Sequence, residues 1–178
     1  AALLMDRIKA NQGDDKFFIT VSAPTNIDAH RLSLAIREKR REMGVLGKDI
    51  VKIRAADRDG NSYEMKLAAG DRVRLFSSVS AQGQRGGSIG RNGSILTVQS
   101  ADRNGMHVVN AKGVAGYLPW KSLTRDGQVQ LAYGEVATTH TAQGSTSTEH
   151  IYALPAGTKM VNGFSAYSSG TRHKQRSF

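Results

Sequence analysis

The chain has 178 residues, of which 39% are hydrophobic, and it carries 25 Lys and Arg against 15 Asp and Glu. This length allows one domain, or one domain with a smaller one inserted into it. The net charge of +10 favours a polyanionic partner, and nucleic acid is the first candidate. The sequence has no cysteine, which excludes disulfides and thiolate metal sites, and its five histidines lack zinc-ligand spacing, so no metal site is predicted.

The N-terminal residues predict neither a signal peptide nor a membrane span. Their apolar positions follow a helical stripe that is interrupted by Asp6, Arg7 and Lys9. The lack of cysteine fits a reducing compartment. We therefore expect a cytoplasmic protein without membrane insertion.

A strand, a cap and a helix are predicted next. Residues 17–21 are a continuous apolar run of strand length, and Pro24 ends it. Thr25 or Asn26 can cap the helix that the apolar spacing predicts over residues 27–43. The outer face of this helix is rich in Arg and Lys interleaved with Glu. A solvated face with local charge pairs is the simpler interpretation, and direct DNA contact is the alternative.

From residue 50 onward the apolar period changes from 3.6 to 2, which predicts short strands separated by glycine-rich turns. These strands are expected near residues 51–53, 63–67, 70–76, 95–98, 106–109 and 116–120. Residues 77–94 are rich in glycine and poor in apolar residues, which predicts an exposed loop containing Arg85 and Arg91. Residues 102–105 (D-R-N-G) predict a hairpin turn.

The order of these elements predicts an α/β (α+β) fold that contains a small antiparallel β-barrel. The barrel is expected from Gly70 to about residue 123, before a second α/β part that starts near residue 129. Its basic loop residues, Lys121 among them, and the aromatic residues Tyr117 and Trp120 are typical of a groove for single-stranded DNA. The alternative is that Trp120 belongs to the barrel core, because it and Tyr117 would face opposite sides of one strand.

The most specific motif is T-T-H-T-A-Q-G-S-T at residues 138–146, where an apolar strand ends in polar groups. Thr139, His140 and Ser145 can donate hydrogen bonds to phosphate oxygens, and Gly144 allows the backbone to approach closely. A hydroxyl-rich turn with a hydrogen-bonded histidine is the alternative. A second polar motif, S-G-T-R, ends at Arg172.

Three blocks in this order resemble the second motor domain of superfamily 1 helicases, most closely the conjugative relaxase-helicases of the F-type nickase/helicase family. They are I-T-V-S-A-P-T-N at 19–26, G-D-R-V-R-L at 70–75 with N-G-S-I at 92–95, and the motif at 138–146. The resemblance covers about residues 17–173. It implies a RecA-like domain formed by residues 1–69 and 126–178, with a Src-homology-3-like barrel inserted at 70–125, in a bacterial protein.

The resemblance also implies roles for individual residues. Together with the basic loops, it gives a DNA-binding set of Thr25, Asn26, Arg85, Arg91, Lys121, Thr139, His140, Gln143 and Ser145. Gly144 would lie near a bound nucleotide, and Arg172 occupies the place of an arginine that senses the terminal phosphate of ATP. The local sequence departs from the family pattern, since Thr171 replaces a serine, and a solvated basic tail is the equal alternative for Arg172.

The first half of a motor is not recognisable in this sequence. It has no G-x-x-x-x-G-K-[S/T] motif, and no apolar strand ends in paired acidic residues that could hold Mg²⁺. No catalytic residue is assigned, and no cofactor is expected for this chain. ATP and Mg²⁺ belong to the full protein only if an upstream phosphate-binding domain exists.

The predicted function is therefore single-stranded DNA binding, as a fragment of a plasmid conjugation relaxase and DNA helicase that does not hydrolyse ATP by itself. The alternative is a degenerate helicase-like interaction module, recognised by the coupling protein of a type IV secretion system during relaxase export.

Overall fold

The computed structural model describes residues 1–14, 17, 19–82, 88–138 and 147–154, together with the backbone of residues 173–177. The chain divides into two compact units, one formed by Ala1–Lys39 with Glu135–Phe178 and the other by Arg40–Gly134. We call them unit 1 and unit 2. Among the described residues, no helix is both long enough and apolar enough to cross a membrane.

The helices of the described part are α1 (Ala2–Ala10), α2 (Asn26–Glu42) and α3 (Trp120–Leu123). The strands are β1 (Ile19–Ala23), β2 (Asp49–Ala56), β3 (Ser62–Ala68), β4 (Arg72–Leu75), β5 (Ile95–Ala101), β6 (Gly105–Asn110), β7 (Ala115–Pro119), β8 (Thr124–Arg125), β9 (Gln128–Tyr133), β10 (Ala137–Thr138), β11 (Ser147–Tyr152) and β12 (His173–Ser177).

Unit 1 is built on a parallel sheet with the strand order β10-β1-β11-β12. One face of β1 is apolar, and its Val21 and Ala23 form a buried cluster with Met5 of α1 and with Ala29 and Ile36 of α2. Helices packed on a parallel sheet are the arrangement that an α/β fold requires. The α/β class predicted from the sequence is confirmed.

Helix α2 matches its sequence prediction to within one residue at each end. After its last turn Gly44 adopts a φ of 71°, and the backbone N–H of Val45 donates to the carbonyl oxygen of Arg40 at 3.0 Å. A glycine in the left-handed region is a common way to end a helix.

Unit 2 is a mixed sheet with the strand order β3-β2-β9-β4-β5-β6-β7, and β8 pairs with β9. Its strand pairs are antiparallel except for β2 with β9, which is parallel. The core contains fully buried Met65, Leu67, Leu75, Leu96 and Leu131. Within the described residues the strands pair as an open series, and the closed barrel stays a prediction.

Unit 2 spans Arg40–Gly134, and the predicted insert at 70–125 lies within it. Strands β2 and β3 join the same sheet because apolar side chains at alternate positions, such as Met65 and Leu67, enter its core. Strand β9, which was expected to begin the second α/β part, pairs instead with β4 and β2. These long-range pairings have no local signal in the sequence.

The G-D-R-V block has a structural role at the turn before β4. Gly70 adopts a φ of 92°, and its N–H donates to the carbonyl oxygen of Val98 at 2.8 Å. Buried Asp71 accepts a hydrogen bond at 2.7 Å from the backbone N–H of Ala68. The turn residues thus fix where β4 enters the sheet.

Trp120 is not on the strand that was predicted to carry it. Strand β7 ends at Pro119, whose φ of −61° and ψ of 140° place it at the N-cap of α3, and Trp120 is the first helical residue. Its partly buried indole packs against the core of unit 2, as the alternative interpretation expected, and its Nε1 donates to the carbonyl oxygen of Asp102 at 2.9 Å.

Candidate nucleic-acid interface

Most residues of the predicted interface lie outside the described residues. These are Arg85, Thr139, His140, Gln143, Gly144, Ser145 and Arg172. Their roles in DNA or nucleotide binding stay predictions. Thr25, Asn26, Arg91 and Lys121 are described.

Thr25 and Asn26 lie where β1 passes into α2. The Thr25 hydroxyl accepts a hydrogen bond from the backbone N–H of Asp28 at 3.1 Å and donates to the Asp28 carboxylate at 2.8 Å. Thr25 is therefore the N-cap of α2, and Asn26 is the first helical residue. A phosphate bound by the Thr25 hydroxyl would have to compete with this cap.

A buried polar network joins β1 to β11 in unit 1. His150 is 1% exposed, and its Nδ1 lies 2.7 Å from the Thr20 hydroxyl while its Nε2 lies 3.0 Å from the Ser22 hydroxyl. The Thr20 hydroxyl is also 2.9 Å from that of Ser147. These bonds fix β1 against β11, and β10 pairs with the other edge of β1. Residues 139–146 connect β10 to β11, so the network holds the strands that carry the predicted DNA-binding motif.

Sequence analysis did not identify this network. The signal present was the alternation of Thr20 and Ser22 with apolar residues, which marks one face of β1 as polar. His150 lies 128 residues beyond Ser22. Nothing local to the sequence connects the two.

An ion pair ties α1 to the same strand, β11. Glu149 is 2% exposed, and Arg7 donates to both of its carboxylate oxygens, with Nε at 2.7 Å from Oε2. The hydrogen bond to this carboxylate raises the pKa of Arg7. The guanidinium thus compensates the charge of the buried Glu149 carboxylate.

The two described cations of the predicted set are exposed on unit 2. Arg91 lies in the turn before β5, where its backbone N–H donates to the Ser94 hydroxyl at 2.9 Å, and Gly93 has a φ of 86°. Residues 92 and 93 form this turn. Lys121 lies on α3. Both side chains are available to solvent, as phosphate contacts require.

Strand β4 carries two further arginines, Arg72 and Arg74, which are not in the predicted DNA-binding set. Arg72 and Arg74 alternate with the core residues Val73 and Leu75, so both lie on the face of β4 that points away from the core. Burial lowers the pKa of Arg74 to about 10, and the nearby charge of Arg72 acts in the same direction. The two guanidinium groups concentrate positive charge on this strand.

Within the part of the chain that the structure describes, no group of three or more His, Asp or Glu side chains could hold a metal ion.

Neither a comparison with protein-family models nor a comparison with curated protein sequences finds a match. Solved structures do match in fold. A Bacteroides Pif1 helicase in complex with ADP-AlF3 and single-stranded DNA has a TM-score of 0.57 and 18% identity, covering 92% of this chain and 39% of that one. Bacteroides Pif1 bound to single-stranded DNA has a TM-score of 0.56 and 15% identity, covering 97% of this chain and 43% of that one.

A third match, a structure of two Pif1 helicases coordinating at forked double-stranded DNA, has a TM-score of 0.54, 16% identity and coverage of 95% of this chain. The chain spans about two fifths of each of these helicases. At this level of identity the likeness shows the fold. The chain therefore has a fold similar to part of these Pif1 helicase structures, with a sheet core that resembles a RecA-like domain.

Proposed function

We propose that this chain binds single-stranded DNA as part of a plasmid conjugation relaxase and DNA helicase, and that it contributes a DNA grip rather than ATP hydrolysis. The observation that carries the proposal is the fold, which nearly the whole chain shares with helicases crystallised on single-stranded DNA. The net charge of +10 supports it, since cations that neutralise phosphates supply most of the affinity of sequence-independent binding.

The proposal assigns phosphate contacts to the polar motif at residues 139–146 and to the exposed Arg91 and Lys121. The buried network around His150 supports this assignment, because it fixes β11, which follows the motif, against β1, and β1 also pairs with β10, which precedes the motif. Thr25 acts through the start of α2, where it caps the helix.

ATP and Mg²⁺ would be held by an upstream phosphate-binding domain if the full protein has one, since these 178 residues contain no phosphate-binding loop motif. In that case Gly144 and Arg172 would approach the nucleotide from this chain. When bound, the metal-nucleotide pair supplies the free energy of phosphoryl transfer. The residues described here position DNA and not the reacting phosphate.

A comparison of single and double strands tests the proposal. Fluorescence anisotropy of a labelled 20-nucleotide thymidine strand is measured at low salt, with unlabelled single strand or duplex of equal phosphate concentration as competitor. We expect the single strand to compete better than the duplex. Equal competition would mean that only net charge is recognised, and the proposed grip would be wrong.

The alternative partner, the coupling protein of a type IV secretion system, gives a different result. A chain that serves only as an interaction module for that machinery would show no preference for the single strand over the duplex at low salt. Substitutions on the exposed surface of unit 2 would then abolish relaxase export without any DNA-binding phenotype.

A further inference from the structure

Strands β6 and β7 carry an aromatic pair on the face that points away from the core of unit 2. His107 and Tyr117 are direct partners in the antiparallel register, and their ring centroids are 4.8 Å apart with an interplanar angle of 52°. His107 is exposed and Tyr117 is half-buried, while the flanking Met106 and Leu118 are fully buried. The pair thus presents aromatic surface to solvent at the β7 end of the sheet.

The Tyr117 ring is held in place from two sides. Its hydroxyl donates to the Asp102 carboxylate at 3.3 Å. Its ring packs over Gly105, where a Cβ atom would lie 2.7 Å from Tyr117 Cζ and 2.4 Å from the carbonyl oxygen of Leu118. Packing over a glycine in the neighbouring strand is a structural reason for an aromatic ring at Tyr117. It does not account for the exposed imidazole of His107 on the opposite strand.

Among the described residues, the carboxylate bonded to this pair is that of Asp102, and the backbone of the turn holds it in place. It accepts hydrogen bonds from the backbone N–H groups of Asn104 at 2.6 Å and Gly105 at 3.0 Å. These bonds, with the one from Tyr117, lower the pKa of Asp102. The carboxylate is therefore ionised and held at the turn by these hydrogen bonds.

Exposed cations flank the pair at both ends of the two strands. Arg103 lies in the turn before β6 and Lys121 lies on α3 just after β7, so both belong to the end of the hairpin where Gly105 pairs with Pro119. Lys112 lies at the other end, in the turn that joins β6 to β7. The Gly105–Pro119 pair is two residues, or about 7 Å, from the His107–Tyr117 pair, so Arg103 and Lys121 follow at the spacing of phosphates next to a stacked base.

We propose that His107 and Tyr117 form a platform on which one unpaired base of single-stranded DNA stacks, while Arg103 and Lys121 contact the adjoining phosphates. This inference rests on the proposed function and names a contact within it. Base stacking on aromatic rings tolerates any sequence, because every base has a π-face. Charge complementarity selects a polyanionic strand as the occupant of this sheet face.

The test compares two ligands that differ only in their bases. The affinity of the full 178-residue chain is measured by anisotropy for a labelled twelve-thymidine strand and for a strand of twelve abasic units with the same phosphates. We expect His107→Ala to weaken binding of the thymidine strand roughly tenfold, the effect of losing one stacked base, and to leave the abasic strand unaffected. His107→Phe should keep the wild-type affinity for both, because it retains an aromatic ring.

Lys121→Ala is the contrasting variant. It should lower the affinity for the thymidine strand and for the abasic strand by the same factor, because it removes a phosphate contact. If His107→Ala lowered the affinity for both strands equally, or for neither, the stacking platform would be wrong and the proposed function would still stand. Failure of the wild-type chain to bind either strand would overturn both. Circular dichroism of each variant checks its fold, and His107 is exposed, so its truncation leaves the core intact.

Discussion

The ion pair between Arg7 and Glu149 is the residue-scale contact on which the attachment of α1 depends. Glu149 is almost fully buried, so removing Arg7 takes away the guanidinium that donates to both oxygens of a buried carboxylate. We expect Arg7→Ala to lower the melting temperature of unit 1 by several degrees, measured by far-UV circular dichroism. Lys9→Ala on the same helix is the matched control and should have little effect, since Lys9 is exposed.

A second substitution distinguishes two causes of a lower melting temperature, namely loss of the ion pair and destabilisation of helix α1 itself. Combining Arg7→Ala with Glu149→Leu removes the uncompensated carboxylate and should restore part of the lost stability. The stability losses of Arg7→Ala and Glu149→Leu are also measured separately. If the loss in the double variant equals the sum of the two single losses, the two residues act independently and the ion pair is not the cause.

Asp71 tests the structural interpretation of the G-D-R-V block. Its carboxylate satisfies the backbone N–H of Ala68 in a buried turn. We expect Asp71→Ala to lower the free energy of unfolding of unit 2 by roughly 1–3 kcal/mol, the cost of a buried donor without an acceptor. Urea denaturation followed by the fluorescence of Trp120, the only tryptophan in the chain, measures this unit specifically.

Asp71→Asn is the conservative comparison, because its amide oxygen can still accept the bond from Ala68. The free energy of unfolding should fall less for Asp71→Asn than for Asp71→Ala. Equal losses for the two variants would show that this hydrogen bond does not hold the turn.

Single residues were predictable where their partner is near in sequence. The capping role of Thr25 follows from its place after Pro24 and before an apolar helical stripe, and its partner Asp28 is three residues away. The partners of Thr20, Ser22 and Arg7 lie more than 120 residues along the chain. Polar groups of this kind can be recognised as members of a buried network only after the sheet order is known.

At the scale of elements, periodicity predicted α2 well and the ends of the strands less well. Helix α2 has a cap, a regular apolar stripe and a terminating glycine, and its bounds differ from the prediction by one residue. Strand β7 was extended too far, through Trp120, because alternation alone does not reveal that Pro119 begins a helix. The pairing of β9 with β2 and β4 was missed since register is a tertiary property.

The start of α2 gives a prediction for a whole element. Thr25→Ala removes the acceptor for the Asp28 N–H and should lower the free energy of unfolding by about 1 kcal/mol, whereas Thr25→Ser should keep the cap. Thermal unfolding followed by far-UV circular dichroism measures both variants. A loss for Thr25→Ser as large as that for Thr25→Ala would contradict the capping role.

At the scale of the whole molecule, the sequence predicted the α/β class, and the fold likeness to Pif1 structures agrees with it. The extent of unit 2, from Arg40 to Gly134, was not predictable from local patterns. It depends on β2 and β3 completing a core to which β4, β5 and β9 contribute. The predicted contacts at residues 139–146 and Arg172 remain proposals for mutagenesis.

The salt dependence of single-strand affinity tests the central claim most directly. The dissociation constant for a labelled twenty-nucleotide strand is measured from low to moderate salt. If the chain grips three or four phosphates, the logarithm of the association constant should fall against the logarithm of salt with a slope of roughly −2 to −3. Undetectable binding at low salt, or an affinity that salt does not change, would contradict the account.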